Sequence, residues 1–331
     1  GLNFGATELL AQQTPLAENR SSRGRDFFMS FMPNVHDRRT GGLTDTLYIY
    51  VTSETPTSGR ITYRNRLRQV VTQDFRIDDP NQMYVHRIHF QDVEILGYFQ
   101  GGGFPINFAA SQSERVAPQY VRVSAEDDVT VYALNQAFFT SDAFLALPVT
   151  SLGTEYVVMA YKSDARGQNF TGNERDETST PSQFVVVATQ DNTDIVVQPS
   201  APTLLGRTMQ ELRARLNEGD SFLVQADPRA GDGLADLTGS RVVASKPVAV
   251  FGGHQRAALP VELKPLLSSR DYLIEQMPGL ETWGRQSFIT PLNRSSNETE
   301  TGTDLYRVLA AYDDTRVLLN GQPLVTLNAG E

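Results

Sequence analysis

The chain has 331 residues, 40% of them hydrophobic and 21% charged, with no cysteine at all, so buried apolar surface rather than disulfides must hold it together. A formal net charge of −10 excludes the basic footprint that neutralises nucleic-acid phosphates and disfavours anionic membranes as partners. No apolar run approaches the length of a membrane span, so no part of this fragment is expected to insert into a bilayer.

A large secreted animal protein would usually carry disulfides, whereas a bacterial surface protein can dispense with them when its domains bury enough core. The cysteine count therefore points to a bacterial, extracellular protein. The opening Gly1-Leu-Asn-Phe has neither Met nor the basic start and apolar stretch of a signal peptide, as expected of a processed or shortened product.

Residues 1–23 recur nowhere else and hold Gln12, Gln13, Pro15 and a Ser-Ser-Arg stretch; they are expected to form an N-terminal arm. From there the chain repeats itself. Val129-Thr-Val-Tyr-Ala-Leu-Asn-Gln136 returns as Val248-Ala-Val-Phe-Gly-Gly-His-Gln255, and the same offset of 119 aligns Arg122 with Arg241 and Ala125 with Ala244. Leu147-Pro148-Val149 returns as Leu259-Pro260-Val261. Gly24-Arg25-Asp26-Phe27, Gly153-Thr154-Glu155-Tyr156 and Ser269-Arg270-Asp271-Tyr272 read as the openings of three copies.

A repeat of roughly 115–130 residues is too long for a solenoid, whose units run about 20–50 residues, so each copy should be a domain or large half-domain. The expected division is β module one at 24–150, β module two at 151–262 and a partial β module three at 263–331. Tyr306 to Thr315 follows Phe184 to Thr193, and the copy stops at Leu327-Asn-Ala-Gly-Glu331, the counterpart of Leu216-Asn-Glu-Gly-Asp220. The natural protein is expected to continue. Missing final strands would leave Tyr306 to Leu319 as an edge prone to pairing.

Locally the pattern is strand, turn, strand. Leu47–Thr52, Phe184–Thr189 and Arg241–Ala244 are β-branched and aromatic runs. Glu126-Asp127-Asp128, Asp191-Asn192-Thr193-Asp194 and Asp313-Asp314-Thr315 read as turns, because Asp and Asn bond the backbone two residues on and tolerate left-handed conformations. Val242-Val243, then Ser245-Lys246-Pro247, then Val248 to Phe251 read as a hairpin. Met209, Leu212 and Leu216 have helical spacing, but the aligned Gly321–Leu327 alternates like a strand, so 211–216 is expected to be one. Asp164 to Pro181 is expected to be a surface loop. The fold class is thus all-β, a tandem of antiparallel β-sandwich-like modules.

Asp236-Leu-Thr-Gly-Ser-Arg241-Val-Val-Ala-Ser-Lys-Pro-Val248-Ala-Val-Phe-Gly-Gly-His254, with Leu147–Tyr156 and Phe184–Thr189, resembles the IgG Fc-binding protein N-terminal domain family over roughly residues 24–331. The resemblance implies a secreted or surface-displayed, non-catalytic binding region of a larger protein. The family's animal namesake is a mucus protein that binds immunoglobulin Fc, and bacterial relatives look like large surface or adhesion proteins. This chain lacks the cysteines common in the animal members.

The binding candidate is the loop Tyr98-Phe99-Gln-Gly-Gly-Gly-Phe104-Pro-Ile-Asn-Phe108. Three glycines make a poor strand interior, and Tyr98, Phe99, Phe104 and Phe108 around them could anchor a partner; the alternative is that they pack on a neighbouring module. Asp227, Asp232 and Asp236 around Gly231 and Gly233 are the one calcium candidate, a hard cation needing several oxygen ligands, and no other cofactor is expected. Of the four histidines, His86 and His89 should face opposite sides of a strand, and His36 and His254 stand alone. No nucleophile elbow, zinc-protease or P-loop motif is present. Three sequons, at Asn169, Asn293 and Asn297, are what chance gives in such a composition. The reading is a binding or adhesion region for an extracellular protein or glycan, or one that displays other domains. Two alternatives stand beside it: a self-associating sheath or filament subunit whose arm completes a neighbour's sheet, and a hydrolase with carboxylates clustered at a module junction.

Overall fold

The computed structural model describes residues 21–36, 45–65, 67–97, 111–138, 140–163, 180–206, 210–227, 235–260, 270–290 and 305–331. The arm expected at 1–23 falls outside these apart from its last three residues. The strands are β1 (Gly24–Met29), β2 (Thr46–Ser53), β3 (Thr57–Arg64), β4 (Val70–Ile77), β5 (Tyr84–His89), β6 (Val116–Ala117), β7 (Tyr120–Gln136), β8 (Ser141–Leu145), β9 (Gly153–Val157), β10 (Ser182–Ala188), β11 (Thr193–Gln198), β12 (Leu212–Leu216), β13 (Ser221–Gln225), β14 (Arg241–Ala257), β15 (Asp271–Gln276), β16 (Thr315–Leu319) and β17 (Gln322–Leu327). One helical turn, α1 (Phe90–Val93), follows β5. All pairings between named strands are antiparallel, so the all-β, sandwich-like class is as expected, and 212–216 is a strand.

Two 17-residue strands organise the molecule. The first half of β7 is flanked by β1 and β3, the second half by β2 and β8. In the same way β14 begins between β9 and β11 and ends between β10 and β15. The sequence repeat is therefore a repeat of pairing. Gly24 stands opposite Val129 as Gly153 stands opposite Val248.

Both long strands change register midway. The pairing advances from Asp26 to Gly24 on β1 while it advances from Ser124 to Val129 on β7, and from Glu155 to Gly153 on β9 while it advances from Val243 to Val248 on β14. The surplus residues include Glu126-Asp127-Asp128 and Ser245-Lys246-Pro247, so these are bulges within single strands. The hairpin expected at Val242–Phe251 is corrected accordingly. Bulges recruit the residues that reverse chains elsewhere, and Pro247, which has no N–H to give a ladder, is tolerated where the ladder is interrupted.

The opening assigned to a third copy at Ser269-Arg-Asp-Tyr272 is also revised. Asp271–Gln276 lies on β14 where Ser141–Leu145 lies on β7, and a 3₁₀ turn follows each, Val149–Ser151 and Leu280–Thr282. Pro278-Gly279, not Leu259-Pro260, thus stands where Leu147-Pro148 does. The two equivalent strands brace each other with carboxylates: Ser141 N and Thr140 Oγ1 donate to Asp271 Oδ1 (2.8 and 2.7 Å), and Ile274 N donates to Asp142 Oδ2 (2.9 Å).

The two large sheets share one core. Phe27, Ile49, Val123 and Val131 of the first sheet, with Phe31 just after β1, pack in the same cluster as Val185, Val187, Ala249, Phe251 and Ile274 of the second. Phe184, Val186 and Ala188, on the opposite face of β10, join a second cluster with Tyr156, Leu212 and Val250. Because β10 is covered on both faces and paired on both edges, its sequence is an unbroken apolar run, whereas β2 alternates buried Leu47, Ile49 and Val51 with half-buried Tyr48 and Tyr50. Gly253 is required by proximity: a Cβ there would collide with the Leu273 carbonyl oxygen of β15.

Candidate functional site

The aromatic glycine loop, with Tyr98, Phe99, Phe104 and Phe108, lies outside the described residues. Its stem does not. Ile95 N donates to Phe31 O (3.0 Å), Leu96 N to Gln112 Oε1 (2.8 Å) and Gln112 N to Leu96 O (2.6 Å). The amides of Gln112 and Gln119 bond each other at 3.1 and 3.2 Å. The loop therefore leaves from, and returns to, a stem fixed on the shared core.

Of the calcium candidates, Asp232 lies outside the described residues, and so do the three sequons and nearly all of the loop expected at 164–181. Asp236 is engaged with protein: Oδ1 accepts from Thr238 N at 2.8 Å, and Oδ2 lies 3.5 Å from Arg307. Among the described residues no group of three or more His, Asp or Glu is placed to hold a metal ion. At the sheet junction Asp142 and Asp271 both accept backbone N–H bonds, and burial, with the charge of Asp142 adding, raises the Glu275 pKa to about 7.

His86 and His89 do face opposite sides of β5, half-buried and exposed respectively. Burial lowers the His86 pKa. His36, which sequence reading left without a carboxylate, is held between two. Its Nδ1 is 2.8 Å from Asp45 Oδ2, its Nε2 2.9 Å from Glu94 Oε1, and its ring stacks on Phe90 at 3.6 Å. Asn135 Nδ2 donates to Glu94 Oε2 (2.9 Å) and Asn34 Nδ2 to Asn135 Oδ1 (3.0 Å). Burial works against the imidazolium, but the charge and hydrogen bonds of Glu94 and the bond to Asp45 outweigh it and raise the pKa. Asp45 lies 9 positions away and Glu94 58, so no local motif announced this cluster.

The most open surface is in the last unit. Tyr306, Val308, Tyr312, Leu318, Leu319, Leu324 and Val325 are exposed apolar residues, and β16 and β17 form a sheet of two strands. Arg307 fixes this unit to the second by donating to Ala160 O and Thr238 Oγ1 while lying over Tyr161. Of the stretch expected as an edge, only Thr315–Leu319 is a strand, and it pairs with Gln322–Leu327.

These features define an all-β repeat protein whose buried ionic groups brace strands. The chain belongs to the IgGFc binding protein family, whose profile matches residues 142–331. That family is a binding-type domain rather than a known enzyme family, it implies a protein partner, and its domains typically occur in secreted or extracellular proteins. No curated protein and no solved structure matches the chain. No helix among the described residues is long and apolar enough to cross a membrane.

Proposed function

We propose that the chain is a non-catalytic binding and adhesion region of a larger secreted or cell-surface protein, recognising an extracellular protein or glycan. The family match over residues 142–331 carries this reading. Tyr98, Phe99, Phe104 and Phe108 are the contact residues we assign to it, since the rigid stem at Leu96 and Gln112 offers a loop a fixed base at low ordering cost. The test is an array of extracellular proteins and glycans, immunoglobulin Fc included, read with the Phe104→Ala variant alongside. A saturable hit lost in the variant supports the reading and the loop. A hit that survives Phe104→Ala moves the site elsewhere, and an array with no hit overturns the binding role in favour of one that spaces or displays other domains.

A further inference from the structure

Along β2, β5 and the second half of β7, alternate side chains enter the shared core and the rest point away from it, so Tyr48, Tyr50, Arg87 and Tyr132 share the outer face of the first sheet. Tyr50 stands opposite Tyr132 on one neighbour and Val85 on the other, and Tyr48 stands opposite Arg87. Tyr132 is 43% and Val85 39% exposed.

The second unit has the same positions, and there they are dry. Val185 stands opposite Phe251 and Leu223 as Tyr50 stands opposite Tyr132 and Val85, and Val187 stands opposite Ala249 as Thr52 stands opposite Thr130. Val185, Val187, Leu223, Ala249 and Phe251 are each 0% exposed and pack in the core shared with the first sheet. In a joint of that kind the hydroxyls of Tyr50, Thr52, Thr130 and Tyr132 would lie in an apolar contact without partners, which is costly. The first unit's face therefore has the chemistry of a wetted surface, not of an uncovered joint between units.

Its charge states what it takes. The outward positions from 46 to 52, 85 to 89 and 130 to 136 hold no Asp or Glu, although the chain carries 39 acidic residues against 29 Lys and Arg. Arg87 is the fixed charge among them, and its guanidinium lies over the Tyr48 ring, 5.6 Å from the centroid. The Tyr48 and Tyr50 rings are parallel within 5°, with centroids 5.8 Å apart. A cation is thus ordered beside aromatic faces on a strand paired along both edges, which lowers the cost of ordering them on a ligand. Tyrosine rings pack on the C–H faces of sugars while their hydroxyls bond sugar hydroxyls, and a guanidinium grips a carboxylate through two parallel bonds.

We propose that Tyr48, Tyr50, Arg87 and Tyr132 form a binding platform for an acidic saccharide, with sugar rings against the tyrosines and a sugar carboxylate on the Arg87 guanidinium. The platform is a second surface beside the loop of the proposed function. The two assignments fail separately, because Phe104→Ala reports on the loop and Tyr132→Ala on the sheet.

The probe is tetragalacturonate, titrated into the full chain by isothermal titration calorimetry, with cellotetraose as an uncharged tetrasaccharide. Saturable binding of tetragalacturonate is expected, and cellotetraose should bind at least about tenfold more weakly. Tyr132→Ala and Arg87→Gln should each weaken tetragalacturonate by at least about tenfold, with little change in melting temperature because both side chains are exposed in the free chain. Arg60→Gln removes an exposed cation from the other half of the same sheet and should leave the affinity unchanged. Absence of saturation, equal binding of cellotetraose, unchanged affinity in Tyr132→Ala, or equal losses in Arg60→Gln and Arg87→Gln would overturn the inference. A protein hit on the extracellular array that Tyr132→Ala removes, with no binding of tetragalacturonate, would also overturn it and give the face to a protein partner.

Discussion

His36 places a single imidazole between the Asp45 and Glu94 carboxylates, and the fold gains most when that imidazole is charged. Its folded pKa lies above the unfolded value, near 6.5 for a free histidine. The stabilisation is then complete below about pH 6.5 and is lost as pH rises through the folded pKa. Urea midpoints of the wild type and His36→Gln should differ most near about pH 6 and converge as pH rises through the raised folded pKa; a gap independent of pH would show that packing on Phe90, not charge, holds the residue. Tyr272 makes a complementary case. Its hydroxyl, fully buried, donates to Met32 O at 2.9 Å, so Tyr272→Phe leaves a carbonyl unpaired and should cost about 1–3 kcal/mol in denaturant unfolding. Neither residue was legible as a partner in the sequence, because Asp45, Glu94 and Met32 become neighbours only when the strands pair.

At the scale of elements the sequence was informative about which stretches extend and less so about how they connect. Leu47–Thr52 and Phe184–Thr189 lie in or on strands as their β-branched composition requires. Ser245-Lys246-Pro247 carries turn chemistry, yet β14 runs through it. A turn and a bulge recruit the same residue types, and only the pairing register separates them. The alignment of Ser269–Tyr272 failed for a related reason: a four-residue match around an Asp and an aromatic ring suits either of two equivalent strand positions. The bulge itself is testable. Replacing Ser245-Lys246-Pro247 with Glu-Asp-Asp, its counterpart in β7, should change stability by no more than about 1 kcal/mol. Deleting Lys246 should unfold the unit, since a slip of one residue exchanges Val248 and Val250 with Ala249 and Phe251 between the two core clusters. Circular dichroism melts of the two variants would distinguish a register device from an ordinary tolerant loop.

At the scale of the whole molecule, the repeat in sequence does not imply separate cores. Phe144 of β8 sits between Phe31 and Phe251, at ring centroid distances of 6.0 and 5.0 Å, and Phe251 belongs to the strand that organises the second sheet. The Arg122 guanidinium binds Asp26 through two nitrogens and Glu218 through the third, and Arg64 reaches Asp220 at 3.3 Å, so the same junction is tied at the surface. Surface pairs of this kind contribute about 0–1 kcal/mol each, whereas truncating a buried phenylalanine costs about 3–5 kcal/mol. The shared core must therefore dominate the coupling. Phe251→Ala should lower amide protection in β2 and β7 as much as in β10 and β14, and should leave one thermal transition rather than two. Arg122→Ala should shift that transition only slightly. Two separated transitions in Phe251→Ala would mean that each sheet holds its own fold and that the aromatic contact joins finished domains.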